Sequence, residues 1–241
     1  ARSIGDPEGF WREAARAVDW FEPPARAFDP TLGVYGRWFP GGVTNVCHNA
    51  VDRHVAAGRG AQPAIYYDSP VAGAKRTVTY AELQTEVATL AGMLRGLGVE
   101  KGDRVVIYMP MIPEAVFAML ACARIGAIHS VVFGGFAAAE LASRIDDAEP
   151  RVVLSASCGI EPSRVVQYKP LLDLALTMAR HKPETCLIFQ RPQAEAKLQP
   201  GRDRDWASAR EEALASGTAA DCVPVEATDP LYILYTSGTT G

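Results

Sequence analysis

Hydroxyl-bearing residues and glycines fill the last six positions, Thr236-Ser237-Gly238-Thr239-Thr240-Gly241, a composition suited to holding an anion. Gly238 and Gly241 let the backbone turn tightly and bring its N–H groups near a ligand. Thr236, Ser237, Thr239 and Thr240 add hydroxyl donors. Such donors orient a polyphosphate; they are not read as nucleophiles. A solvated turn is the alternative, because Ser, Thr and Gly dominate turns generally, but six in succession favour the anion. The Gly-Lys-Ser/Thr ending of a Walker A loop is absent.

Two further segments carry chemistry. In Phe133-Gly134-Gly135-Phe136, the glycines lack side chains, so a bulky ligand could approach their backbone while a phenylalanine stacks on an aromatic base. By spacing alone, a tight strand-to-helix turn whose phenylalanines fill the core is the stronger reading. In Ser163-Arg164, the guanidinium offers a planar fork of donors to a phosphate, although a lone surface arginine is usually only solvated. His48, His54, His129 and His181 form no ligand cluster. Cys47, Cys122, Cys158, Cys186 and Cys222 are widely scattered and odd in number, which reads as reduced thiols. Of these, Cys122 and Cys186 suit small core positions in a helix and a strand.

Strand and helix patterns alternate from Ala64 onward. Strands are predicted over 64–68, 103–109, 128–133, 151–155 and 185–190, and helices over 79–97, 113–125, 137–147 and 170–181. Leu231 to Tyr235, an unbroken apolar run, reads as a further strand buried on both faces and central in its sheet. Thr79 followed by Glu82 predicts a capping box on the first long helix. The fold class is therefore α/β, a mostly parallel sheet flanked by helices. Ligands of such sheets gather beyond the carboxyl ends of the strands, which selects the loops at 109–113, 133–136, 155–164 and 236–241. Residues 1–62 read as an extension rich in Trp, Pro and Gly, with a helix over 7–18 capped by Asp6. Its aromatic residues suit anchoring onto a larger domain. Residues 191–228 read as a surface excursion with a short helix over 206–215.

With 241 residues, a hydrophobic fraction of 48% and a net charge of −4, the chain can bury a substantial core. Its charge gives no reason to expect nucleic acid or an anionic membrane as partner. No apolar run approaches the ~20 residues that span a bilayer, and the first residues lack the apolar core of a signal peptide. A cytoplasmic protein is expected.

The run YTSGTTG, residues 235–241, resembles the start of the phosphate loop of the adenylate-forming superfamily, where a Lys-Pro-Lys-Gly segment normally follows. Residues 108–136, extended by 98–106, resemble the acetyl- and propionyl-CoA synthetase branch, and residues 37–55 resemble its N-terminal extension. The wording of Cys47 to Arg53, with Arg144-Ile145-Asp146-Asp147-Ala148, is nearer propionate-CoA ligases than acetate enzymes. The resemblance covers nearly the whole chain. It implies an extension over 1–62 and part of an AMP-binding domain over 63–241, truncated at the phosphate loop and inactive alone. It implies ATP, Mg and coenzyme A as cofactors and a short-chain carboxylic acid as substrate, activated to an acyl-adenylate and passed to the CoA thiol. On it, Thr236 to Gly241 become ATP-phosphate ligands, and Phe133, Gly134, Gly135, Glu161, Pro162, Ser163 and Arg164 become CoA contacts. No catalytic residue and no metal ligand are expected within the chain. Acetate enzymes usually carry two arginines in the second CoA loop, whereas Glu161 stands at one of those positions here. A truncated sheet is expected to self-associate through its exposed face. Another adenylate-forming enzyme, such as a peptide-synthetase adenylation domain, and a non-catalytic CoA- or nucleotide-binding module remain open alternatives.

Overall fold

The N-terminal segment opens with helices α1 (Arg2–Gly5) and α2 (Pro7–Ala14) in the computed structural model, which describes residues 2–236. The Asp6 carboxylate caps α2 by accepting from the Gly9 N–H at 3.0 Å, and Pro7 occupies the first turn, where a missing N–H costs nothing. The helix stops at Ala14 and relaxes into a 3₁₀ turn at Ala15–Ala17, short of the expected Val18. Short strands β1 (Phe28–Asp29), β2 (Arg37–Trp38) and β3 (Val43–Thr44) follow. Trp38 packs on Trp11 and Phe28, with ring centroids 5.6 and 4.8 Å apart, so the aromatic residues of this segment pack chiefly on one another.

Two five-residue π-type turns, His48–Asp52 and Val55–Arg59, lead into β4 (Pro63–Ser69) and β5 (Ala74–Thr79). These pair antiparallel with each other only. The strand expected over 64–68 is therefore real, but it belongs to a separate hairpin and not to the parallel sheet. Its alternating exposure is the physical reason, because a strand inside a parallel sheet is buried on both faces.

From α3 (Tyr80–Gly96) onward the order is β6 (Arg104–Met109), α4 (Pro113–Ile125), β7 (Ile128–Phe133), α5 (Ala138–Ala148) and β8 (Val152–Ala156). Then come β9 (Cys158–Glu161), β10 (Arg164–Gln167), α6 (Tyr168–Met178), β11 (Thr185–Phe189), β12 (Asp203–Asp205), α7 (Trp206–Ser216), β13 (Val225–Glu226) and β14 (Tyr232–Ile233). The predicted capping box is present: Thr79 Oγ1 accepts from the Glu82 N–H, and the Glu82 carboxylate accepts from the Thr79 N–H at 2.8 Å. The six-stranded sheet has the order β12-β11-β8-β6-β7-β14, and every neighbouring pair is parallel.

Successive side chains of β6 feed two cores, as the period of a strand requires. Val105, Ile107 and Met109 join α3, α4 and α7 on one face, while Val106 and Tyr108 join α5 and α6 on the other. Among the described residues β14 lies at the sheet edge and pairs over two residues. Of the five-residue strand expected over Leu231 to Tyr235, only Tyr232 and Ile233 pair here, and Tyr232 and Leu234 stand 54% and 70% exposed.

Asn45 ties three distant parts of the chain together. Its side chain is fully buried. Nδ2 donates to the carbonyls of Ala123 at 2.9 Å and Val223 at 2.8 Å, while Oδ1 accepts from the Cys47 N–H at 2.8 Å. One amide therefore covers a carbonyl in the last turn of α4, caps the π-type turn and holds the segment before β13. Asn45→Ala leaves these groups buried without partners, and the expected loss is about 2–3 kcal/mol in urea unfolding. A loss below about 1 kcal/mol would contradict this role.

Candidate functional site at the strand carboxyl ends

Because the six strands are parallel, their carboxyl ends lie along one edge. Met109 of β6 pairs with Phe133 of β7, and Tyr108 pairs with Ser155 of β8, so the three loops leave the sheet side by side. The first enters α4 at Pro113, the second turns through Gly134 and Gly135 into α5, and the third is the β9–β10 hairpin before α6. The sequence reads as a loop at 155–164. The structure instead pairs Glu161 with Arg164 and Cys158 with Gln167 across a two-residue turn.

Tyr168, the first residue of α6, holds two of these segments in place. A Cβ added to Gly134 would lie 2.1 Å from the Tyr168 hydroxyl oxygen, and one added to Gly159 would lie 2.5 Å from the same atom. Both positions therefore need glycine, because a phenol fills the space a side chain would take. Tyr108 stacks beneath, with ring centroids 4.9 Å apart, and its hydroxyl donates to the Phe136 carbonyl at 3.2 Å. Burial raises the pKa of both phenols, that of Tyr108 to about 12, so both remain neutral near neutral pH. The glycine-rich loop and the hairpin are thus a single packed unit.

On the outer side of that unit Phe133 is 67% exposed and meets Phe136 edge-to-face at 5.8 Å. Phe133 does not fill the core, contrary to the reading that spacing alone favoured, because alternation along β7 turns its odd-numbered side chains to the more open face. At the hairpin turn Arg164 Nε donates to Glu161 at 2.8 Å, with both groups largely exposed. The Arg164 hydrogen bond holds the Glu161 carboxyl below its ordinary value. Glu161 therefore balances the charge of Arg164, and an exposed pair of this kind opens easily for a stronger anion. Pro162 and Ser163 form the exposed tip.

The fourth segment arrives from β14. The Tyr235 hydroxyl donates to the Asp147 carboxylate, and the Arg144 guanidinium lies 4.1 Å above the Tyr235 ring centroid and 5.9 Å from that of Phe136. Burial, then the Asp147 contact, pushes the Tyr235 phenol up. Thr236 is exposed immediately beyond. Ser237, Gly238, Thr239, Thr240 and Gly241 lie outside the described residues. One face of α5 consequently bridges the entry to the hydroxyl-rich loop and the Phe133–Phe136 turn.

The sequence profile described as AMP-binding enzyme matches residues 52–241, and that of the acetyl-coenzyme A synthetase N-terminus matches residues 1–50. This chain belongs to the AMP-binding enzyme family. A human relative named acyl-CoA synthetase short-chain family member 3, mitochondrial, is 54% identical over 242 residues, covering 100% of this chain and 35% of its own. The propionate–CoA ligase of Salmonella typhimurium is 47% identical over 243 residues, covering 100% and 38%. An uncharacterized protein of Pseudomonas aeruginosa is 56% identical over 241 residues, covering 100% and 38%. The chain thus spans little more than a third of the length of these relatives. The resemblance to short-chain acyl-CoA synthetases read from the motifs is borne out.

In this AMP-binding enzyme chain, sequence reasoning missed Tyr108, Tyr168, Arg144 and Tyr235 as organisers of the rim. The spacing of Arg144 and Asp147, i and i+3 on one face of a helix, was the available signal for the α5 bridge. Nothing local marked Tyr168, whose partners are long-range. Among the described residues the one group of three metal-capable side chains is Cys47, Asp52 and Cys222. It sits against Arg124 at the far end of α4 from the rim, about 20 Å away for a helix of that length. No described helix is long and apolar enough to cross a membrane.

Proposed function

We propose that the chain forms the coenzyme-facing part of a short-chain acyl-CoA synthetase. In that reading the whole protein joins propionate, or a similar short acid, to ATP and then to coenzyme A, releasing AMP and diphosphate. The observation that carries it is the convergence of the rim. The glycine-rich turn and the hairpin share Tyr168, and α5 links the same turn to the residues leading into the hydroxyl-rich loop. Family membership and the names of the two ligase relatives support the chemistry.

The roles follow from residue chemistry. Thr236 to Gly241 would orient the ATP phosphates through hydroxyls and amides. Phe133 offers an exposed ring to the CoA adenine, Gly134 and Gly135 shape the turn, and Arg164 would leave Glu161 to pair with a CoA phosphate. The carboxylate is a poor electrophile because it lacks a good leaving group, and adenylation supplies one. Magnesium, when bound, adds positive charge against the departing diphosphate, and no described residue is assigned to hold it.

If Arg164 meets a CoA phosphate, Arg164→Ala in the whole protein raises the KM for CoA about tenfold or more, the worth of one charge-assisted hydrogen bond. Glu161→Ala, which frees the guanidinium, lowers that KM or leaves it unchanged. Neither alters carboxylate-dependent exchange between ATP and diphosphate, which precedes CoA. Steady-state kinetics with CoA varied checks this, and an equal loss of exchange in Arg164→Ala would overturn the assignment. The exposed Phe133, Tyr232 and Leu234 also support self-association of the 241-residue chain through this side of the sheet; a monomer at all concentrations in sedimentation would dismiss it.

A further inference from the structure

A cluster away from the rim joins two thiols that are far apart in sequence. Cys47 precedes the first π-type turn and Cys222 lies between α7 and β13. Their sulfurs and the Asp52 carboxylate oxygen all lie within 4.8 Å of one another. Arg124 projects between them from the last turn of α4. Its Nη1 is 2.7 Å from Asp52 Oδ2, 3.3 Å from Cys222 Sγ and 3.5 Å from Cys47 Sγ. A divalent metal would need the position this guanidinium occupies, so two thiols and a carboxylate here do not make a cation site. A guanidinium beside two sulfurs favours a thiolate. The Cys222 thiol, followed by Arg124, holds Cys47 below the ordinary thiol value, while Cys222 is pushed up and keeps its proton.

We propose that Cys47 and Cys222 are a redox-reactive dithiol that hydrogen peroxide converts to a disulfide, joining the N-terminal segment to the segment that leads into β13 and β14. The Cys47 thiolate attacks one peroxide oxygen and the O–O bond breaks. The departing hydroxide takes the Cys222 proton as water, leaving a sulfenic acid on Cys47 and a thiolate on Cys222. That thiolate attacks the Cys47 sulfur, the S–S bond forms, and hydroxide leaves. The two thiols lose two electrons and the peroxide gains them.

Access and selectivity favour this pair. Cys222 is only part-buried, whereas Cys47, Cys122, Cys158 and Cys186 are buried, so peroxide reaches this pair from the Cys222 side. Burial pushes Cys122 and Cys186 up to about 12, which leaves them protonated and slow. The sulfurs must close to the ~2 Å of a disulfide, and both cysteines sit outside the long helices, so this movement need not break one.

The test treats the 241-residue chain with about one equivalent of hydrogen peroxide, blocks free thiols with iodoacetamide and digests without reductant. The expected result is a Cys47–Cys222 cross-linked peptide lacking two hydrogens, reversed by dithiothreitol. The thiol count after denaturation falls from the five free cysteines by two. Cys222→Ser abolishes the cross-link and Cys122→Ser retains it. If Cys222→Ser does not fold, the wild-type peptide decides the matter alone. Five thiols retained, cross-links to other cysteines, or one equivalent of tightly bound zinc in the purified chain would each overturn the proposal.

Discussion

Asp52→Asn is expected to destabilise the chain by about 3–5 kcal/mol, the cost of leaving a buried charge without its partner. The Arg124 side chain is only 5% exposed and that of Asp52 16%. The second carboxylate oxygen accepts from Gln84 Nε2 at 2.7 Å, and Arg124 Nε is already committed to the Ala220 carbonyl. Asparagine keeps the shape and removes the charge, so the guanidinium Nη1 loses its carboxylate and keeps only the Cys47 and Cys222 sulfurs at 3.5 and 3.3 Å. The double variant Asp52→Asn with Arg124→Met should recover part of the loss, because an apolar replacement of the whole pair removes the stranded charge. Burial opposes ionisation of Asp52, but hydrogen bonds from Arg124 and Gln84 outweigh it and leave the carboxyl below its ordinary value of 3.8. A depressed folded pKa means that the stabilisation is present above the ordinary value and is lost as pH falls through the folded one. The stability of the wild-type chain therefore declines in acid more steeply than that of Asp52→Asn. Urea titrations between neutral pH and pH 3 measure both effects, and a neutral-pH difference below about 1 kcal/mol would contradict the first.

Gly134→Ala is expected to damage the CoA half-reaction while sparing the first. The added Cβ would lie 2.1 Å from the Tyr168 hydroxyl oxygen and 2.4 Å from its Cζ. Tyr168 cannot yield easily, since Tyr108 stacks on one side and Gly159 meets the same hydroxyl on the other. The turn must move instead, at about 1–3 kcal/mol for overpacking. Phe133 moves with it. In the whole protein the KM for CoA should rise about tenfold or more for each 1.4 kcal/mol of binding lost, while ATP–diphosphate exchange stays within about threefold, since that step precedes CoA. An unchanged KM for CoA would remove the glycine-rich turn from the coenzyme site.

Much of this architecture is legible in the sequence because local signals and burial agree. The strands at 104–109, 128–133 and 185–189 and the helices at 80–96 and 113–125 fall within a residue of the positions their apolar patterns predict. Thr79 and Glu82 mark a helix start chemically, through the capping box. The hairpins fail for the opposite reason. Pro63 to Ser69 has strand-forming residues, but its partner is chosen by Ser69-Pro70-Val71-Ala72-Gly73, turn chemistry that apolar period alone does not weigh. Glu161-Pro162-Ser163-Arg164 hides a second hairpin in what composition presents as a loop. Tyr232 and Leu234 carry the apolar character of a buried strand, while the described sheet covers β14 on one edge only and leaves both exposed. At the rim, the glycine turn and the lone arginine can be found from residue type. Tyr168 and Tyr235 cannot, because their role is to pack against segments distant in sequence, and Arg144 can be found only through its i, i+3 spacing from Asp147.

The proposed function makes this chain part of an enzyme that activates a short carboxylic acid as its adenylate. Carboxylate-dependent exchange of labelled diphosphate into ATP tests it most directly, with acetate, propionate and butyrate, on residues 1–241 and on the whole protein. The account predicts exchange by the whole protein, strongest with propionate, and none by residues 1–241 alone. Absence of exchange from the whole protein with all three acids, or robust exchange from residues 1–241 alone, would contradict it.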